Sequence, residues 1–101
     1  MSKTFLQLIT EAVEAGKCFP NQWDLKTHYV DLVEEVGELG NAVLVKTGSK
    51  SVKRQRADLK DSFADVLFEL ILMANEADVD LEAVLTQMLR ELKVRQENKE
   101  Y

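Results

Sequence analysis

An all-α fold, a bundle of four helices, is what this sequence predicts, and three observations predict it. Apolar residues recur at three- and four-residue intervals along most of the chain. One proline and four glycines leave few places for the helices to break. The stretches between the periodic segments are short, and amphipathic helices joined by short connections form a bundle. The 101 residues make one domain, 1–101, with a polar tail from about residue 95. That length is adequate for a single core without being generous. The bundle is therefore expected to gain core by pairing with copies of itself, as a homodimer or homotetramer.

The first helix is read over residues 3 to 15, where Phe5, Leu8, Ile9, Ala12 and Val13 share a face, and it ends near Gly16. KCFPNQWD, from Lys17 to Asp24, has no periodicity and contains Pro20, so it is a loop. Two readings stand for Trp23 in that loop: it plugs a helix interface, or it stacks on a planar ligand. The second helix starts near Leu25 to Thr27 and runs to about Lys46, with Tyr29, Val30, Val33, Val36 and Val43 in its apolar stripe. Gly37 and Gly40 each cost it roughly 1 kcal/mol relative to alanine. Their presence suggests that another backbone or a ligand comes close.

TGSKS, from Thr47 to Ser51, is a turn in which Ser49 or Ser51 is placed to cap the third helix. Six basic residues fall between Lys46 and Lys60; they form either a solvated helix start or a phosphate-holding patch. The third helix carries Leu59, Phe63, Val66, Leu67, Leu70, Ile71 and Ala74 and ends around Ala77. Asp78 or Asp80 caps the fourth, which runs through Leu81, Leu85, Met88 and Leu92 into a polar, fraying stretch from Arg90 to Tyr101.

Composition narrows the function. The net charge of −5 disfavours attraction to nucleic acid or to an anionic membrane. Cys18 stands alone, so no internal disulfide forms, and a thiol nucleophile would need the single histidine, His28, as its base without a glycine elbow around it. No stretch reaches the roughly 18 apolar residues of a membrane span, and no signal-peptide pattern opens the chain. A cytoplasmic protein is expected.

The chemistry is concentrated in two acidic helices. Glu34, Glu35 and Glu38 project from the second; Asp58, Asp61 and Asp65 share a face of the third. If the two helices run antiparallel from the 46–51 connection, Glu38 and Glu35 lie about 12 and 16 Å below it, Asp61 about 15 Å and Asp65 about 21 Å. The clusters then overlap in height. Facing oxygen ligands without Cys or His suit Mg²⁺, with Mn²⁺ as the alternative, rather than Zn²⁺. The plainer account is two separate solvated faces.

LVEEVGELGNAVL, followed by DSFADVLFELILMA and DVDLEAV, resembles the MazG-like nucleoside triphosphate pyrophosphohydrolases of the all-α pyrophosphatase superfamily, from roughly Trp23 to Val94. The resemblance puts the family's ExxE on Glu35 and Glu38, with Glu34 as the extra acid, and the aspartate of its ExxD on Asp65. Ser62 stands at the glutamate position, leaving Asp61 to supply a fourth ligand, or Ser62 to bind through water. Glu91 stands where relatives often carry Asn, which suggests a different substrate.

What the resemblance implies is Mg²⁺-dependent cleavage of an NTP or dNTP between the α and β phosphates, releasing the monophosphate and pyrophosphate. Glu35, Glu38, Asp61 and Asp65 would hold metal, and Glu34 or Glu35 would orient the water. Trp23 would meet the base, and Lys46, Lys53, Arg54 and Lys93 the phosphates, some of them from a neighbouring subunit. Set against that enzyme are a metal- or nucleotide-binding regulator with weak turnover and a helical interaction module.

Overall fold

The computed structural model describes residues 2–50 and 58–100, and no strand occurs among them. They form four helices: α1 (Phe5–Gly16), α2 (Leu25–Lys46), α3 (Leu59–Glu76) and α4 (Leu81–Glu97).

Each helix starts on an oxygen-bearing side chain that accepts from an otherwise unpaired N–H. Thr4 caps α1 in a reciprocal box: the Gln7 N–H donates to Thr4 Oγ1 at 3.1 Å, and the Thr4 N–H donates to Gln7 Oε1 at 2.7 Å. Asp24, Asp58 and Asp80 accept from the N–H groups of Thr27, Asp61 and Ala83 at 2.8, 2.9 and 3.0 Å. Asp58 therefore takes the role expected of a serine at the start of α3. Ser49 belongs to the end of α2 instead, where its N–H donates to the Leu44 carbonyl at 2.9 Å; Ser51 lies outside the described residues.

That last bond, with Gly48 at φ +80°, makes a Schellman ending for α2. α3 ends the same way: the Val79 N–H reaches the Ala74 carbonyl at 2.8 Å, but the left-handed position is taken by Asp78 at φ +57°. Glycine carries no Cβ penalty in that region, so Asp78→Gly is expected to raise stability by roughly 0.5–1 kcal/mol, read as a higher urea midpoint. α4 continues helical to Glu97, about two turns into the stretch expected to fray.

α3 is the central element, packed along α2 and more briefly against α1. Ala42, Ile71, Leu72 and Ala74 form the buried apolar core between them. Gly16 lets α1 approach: a Cβ there would lie 2.6 Å from Leu72 Cδ2. Gly37 and Gly40 do not serve the α2–α3 contact, since a Cβ on either meets nothing within 4 Å. They lie on the exposed side of α2 with Val33, Val36 and Val43.

α4 contributes no buried residue. Val84, Leu85, Met88, Leu89 and Leu92 remain exposed along it. The accessible surface of 8177 Å² exceeds the roughly 5,800 Å² typical of a monomer of this mass. The radius of gyration, 16.6 Å, likewise exceeds the roughly 13 Å of a 100-residue globule.

Candidate metal centre and adjoining cavity

Helical spacing puts Asp31, Glu35 and Glu38 on one face of α2, and Asp65 and Glu69 on one face of α3. Where these faces meet, one carboxylate oxygen each from Glu35, Glu38 and Asp65 lies within 4.8 Å of the others. One turn on, His28 Nδ1 meets Glu69 Oε1 at 2.5 Å. The pairing climbs α3 while descending α2, so the two helices are antiparallel, as the overlap in height requires.

The donor set fits a hard divalent cation. Mg²⁺ holds oxygens at about 2.1 Å in octahedral geometry, so ligands on one ion stand about 3.0 Å apart when adjacent and about 4.2 Å when opposite, closer than the 4.8 Å limit within which the three oxygens lie here. Burial pushes the Glu35 carboxyl above its ordinary value, and the negative charges of Glu38, Asp31, Asp65 and Glu69 add to the rise. A cation at this place would relieve that repulsion.

Glu35 and Asp65 also line a cavity of about 420 Å³ that runs away from the triad. Its walls are Phe19 and Trp23 from the α1–α2 loop, Phe68, Glu69 and Leu72 from α3, and Val13 and Gly16 from α1; Asn75 and Glu76 stand at its far side along α3. Gln22 ties the loop down by donating from Nε2 to the Phe19 carbonyl at 2.8 Å and the Gly16 carbonyl at 3.4 Å. Phe19 meets Phe68 edge to face, centroids 6.3 Å apart, and Trp23 meets His28 at 5.6 Å. Trp23 is 41% exposed, so it walls an open space rather than filling a closed helix interface.

Glu69 is only 5% exposed. Burial raises its pKa, the His28 hydrogen bond opposes that rise, and the Asp31 carboxyl beside it adds to it. A carboxyl raised in the folded state stabilises it fully below the ordinary value of 4.5 and loses that contribution as pH climbs through the raised value. Asp24 has the opposite sign, its carboxyl held down by Thr27, but its window lies below 3.8. The metal-free protein is therefore expected to melt at a higher temperature at pH 5 than at pH 7.5, and Mg²⁺ to raise the melting temperature more at pH 7.5. Scanning calorimetry at both pH values, with and without Mg²⁺, checks the two signs.

The remaining expected site residues fall elsewhere. Asp61 is not in the converging group: it is exposed in the first turn of α3, a full turn nearer the connection than Asp65. Glu34 is exposed and lies about 100° round α2 from Glu35. Ser62 is 2% exposed, and its Oγ has no partner among the described residues; Asn41 Oδ1 is in the same state. Lys46, in the last turn of α2, and Lys93, on α4, do not line the cavity. Lys53 and Arg54 lie outside the described residues.

Sequence reasoning missed Glu69, His28 and Asp31 as a group. The signal was present, because Asp31 precedes Glu35 by four residues and Glu69 follows Asp65 by four.

Residues 24–99 match the profile of the MazG nucleotide pyrophosphohydrolase domain. The chain is 31% identical over 70 residues to the uncharacterized protein YpjD of Bacillus subtilis, a match covering 67% of this chain and 63% of that protein's length. The fold is similar to the crystal structure of Bacillus subtilis YpjD, described there as a candidate pyrophosphatase: the TM-score is 0.75 and the identity 26%, over 90% of this chain and 96% of the other.

Proposed function

This chain belongs to the MazG nucleotide pyrophosphohydrolase family, and from that premise we propose that it hydrolyses a nucleoside or deoxynucleoside triphosphate between the α and β phosphates. The products would be the monophosphate and pyrophosphate, and the role the removal of unwanted nucleotides from the cytoplasm. The observation that carries the reading is the Glu35, Glu38 and Asp65 triad opening onto an aromatic-walled cavity. Among the described residues no helix is long and apolar enough to cross a membrane.

On this reading Glu35, Glu38 and Asp65 hold Mg²⁺, or Mn²⁺ in its place. When bound, such a cation neutralises triphosphate charge and lowers the pKa of coordinated water. Glu35 and Asp65 are the triad members that also line the cavity, and Glu35, the more buried of the two, is the group we assign to orient a water toward the α-phosphorus. The aromatic rings of Phe19, Trp23 and Phe68 hold the base and exclude water around it. Lys46 and Lys93, off the cavity in their own chain, reach the phosphates across an interface with a second copy.

That second copy is part of the proposal. The surface in excess of a monomer's is larger than the roughly 800 Å² per partner of a standard interface. Exposed apolar residues run along α4 and along the valine side of α2. Sedimentation at micromolar concentration is expected to give a dimer or tetramer; a monomer overturns this part.

The test of the activity is release of pyrophosphate from a panel of NTPs and dNTPs in Mg²⁺ and in Mn²⁺. Absence of turnover by folded protein on every member sinks the enzymatic reading. One observation favours a second reading, a nucleotide-binding regulator: three carboxylates converge rather than four, with Ser62 sealed at the fourth position. Tight binding without product in calorimetry would select it.

A further inference from the structure

The side of α2 turned away from α3 is apolar for about four turns without interruption. Tyr29, Val30, Val33, Val36, Val43 and Leu44 stand on it, each 42–55% exposed, with Gly37 and Gly40 among them. The acids of this stretch, Asp31, Glu34, Glu35 and Glu38, all lie about 120° or more round the helix from Gly40. A solvated helix face carries charge, so a face of this length without any is one that a partner covers. No described residue of its own chain does so: the six side chains stay open, and a Cβ on either glycine meets nothing within 4 Å. The accessible surface of 8177 Å² exceeds that of a compact monomer by more than the roughly 800 Å² that each partner of a standard interface buries.

We propose that this face is a seam along which α2 packs on α2 of a second copy, antiparallel about a two-fold axis. The pairing deepens the second-copy reading above and is independent of the reaction. Tyr29, Val33, Val36, Gly40 and Val43 follow at intervals of four, three, four and three residues, the repeat of a coiled-coil seam. With the axis beside residue 38, Val36 of each copy enters the hollow left by Gly40 of the other, and Val33 meets Val43. A parallel pairing sets glycine against glycine and leaves a void, which close-packed interiors exclude. Alternation of large and small residues makes the face complementary to itself, and such a contact closes on two copies with no patch left over. Glycine weakens a helix relative to alanine, and the close approach offsets that loss. The stripe of α4, with Val84, Leu85, Met88 and Leu92, is bulky throughout and offers Val36 no hollow.

Cysteine pairs read the register. In a Cys18→Ser background, which removes the exposed free thiol, Val33→Cys and Val43→Cys are oxidised separately and as an equal mixture after subunit exchange. The expected result is a disulfide-linked dimer from the mixture and none from either variant alone. Two copies of the same substituted position stand about 15 Å apart along the seam, beyond the roughly 7 Å that a disulfide spans. Gly40→Leu is expected to raise the dissociation constant of the dimer at least tenfold in sedimentation while helix content is kept. On an uncovered helix face the same change strengthens the helix and leaves assembly alone, so the loss marks a filled hollow. If Gly40→Leu does not fold, the cross-links decide. Linkage of Val33→Cys to itself, no linkage in the mixture, linkage of Val43→Cys to Met88→Cys on α4 in place of Val33→Cys, or unaltered assembly of Gly40→Leu overturns the seam. An oligomer without the linkage removes the seam alone, and a monomeric parent protein removes the second copy with it. Neither outcome touches the panel of triphosphates, which tests the reaction.

Discussion

Glu38→Gln is expected to lower pyrophosphate release by about a hundredfold or more while leaving the helical fold and its melting temperature in EDTA close to those of the parent protein. The change removes a charge and almost no volume, and Glu38 is exposed, so the fold has little stake in it. The metal site has a large one, because Glu38 supplies one of the three oxygens that converge among the described residues. Several kcal/mol of charge stabilisation depend on a bound cation, and each 1.4 kcal/mol is a factor of ten in rate. The stabilisation by Mg²⁺ should fall with it, since a ligand stabilises only as far as it binds. Asp61→Asn is the control: from its place in the first turn of α3 it should change neither Mg²⁺ affinity nor rate by more than about twofold. Near-normal activity of Glu38→Gln removes Glu38 from the metal shell, and a large loss in Asp61→Asn restores the fourth carboxylate.

The second large effect concerns stability. His28→Leu is expected to cost about 2–4 kcal/mol, because it strips a buried carboxyl of its hydrogen-bonded partner and leaves Glu69 nearly sealed from water. For a domain whose total stability is of order 5–15 kcal/mol, that is a visible fraction. The double variant His28→Leu with Glu69→Leu should recover most of the loss, since an apolar pair in place of a buried ionisable one is commonly neutral or stabilising. Urea denaturation of the parent protein, both single variants and the double variant gives the coupling directly. A His28→Leu midpoint equal to the parent's would mean that the pair is not coupled in solution.

Much of the architecture could be read from periodicity, because the forces that place these helices are local. Leu25 and Lys46 bound α2 as the apolar stripe and the following glycine require, and Gly16 closes α1. The start of α3 was less legible: Asp58, read as one of three facing acids, is used as its cap. The turn composition offered Ser49 or Ser51, and only the chain path shows that the cap is Asp58. The same limit applies to the site. The motif spacing picks out Glu35, Glu38 and Asp65, whereas Asp61 shares the α3 face of Asp65 and only its position one turn nearer the connection separates it. Gly37 and Gly40 show the same limit: a glycine's freedom is visible in sequence, but the side from which a neighbour comes is not, and within this chain a Cβ on either meets nothing within 4 Å. Glu69 was hidden for a different reason. A glutamate between Phe68 and Leu70 reads as a solvated helix position until the opposing helix supplies His28.

The isolation of α4 within its own chain bears on how the molecule comes to be folded at all. A 17-residue segment with no fully buried residue gains little from its own chain, so its order leans on contacts elsewhere. If a second copy is the lender, ordering of this segment becomes second order in protein, and dilution alone should melt it before α1, α2 and α3 give way. Circular dichroism across a hundredfold dilution series would then lose helical signal in two steps, the earlier one moving with concentration and the later one standing still.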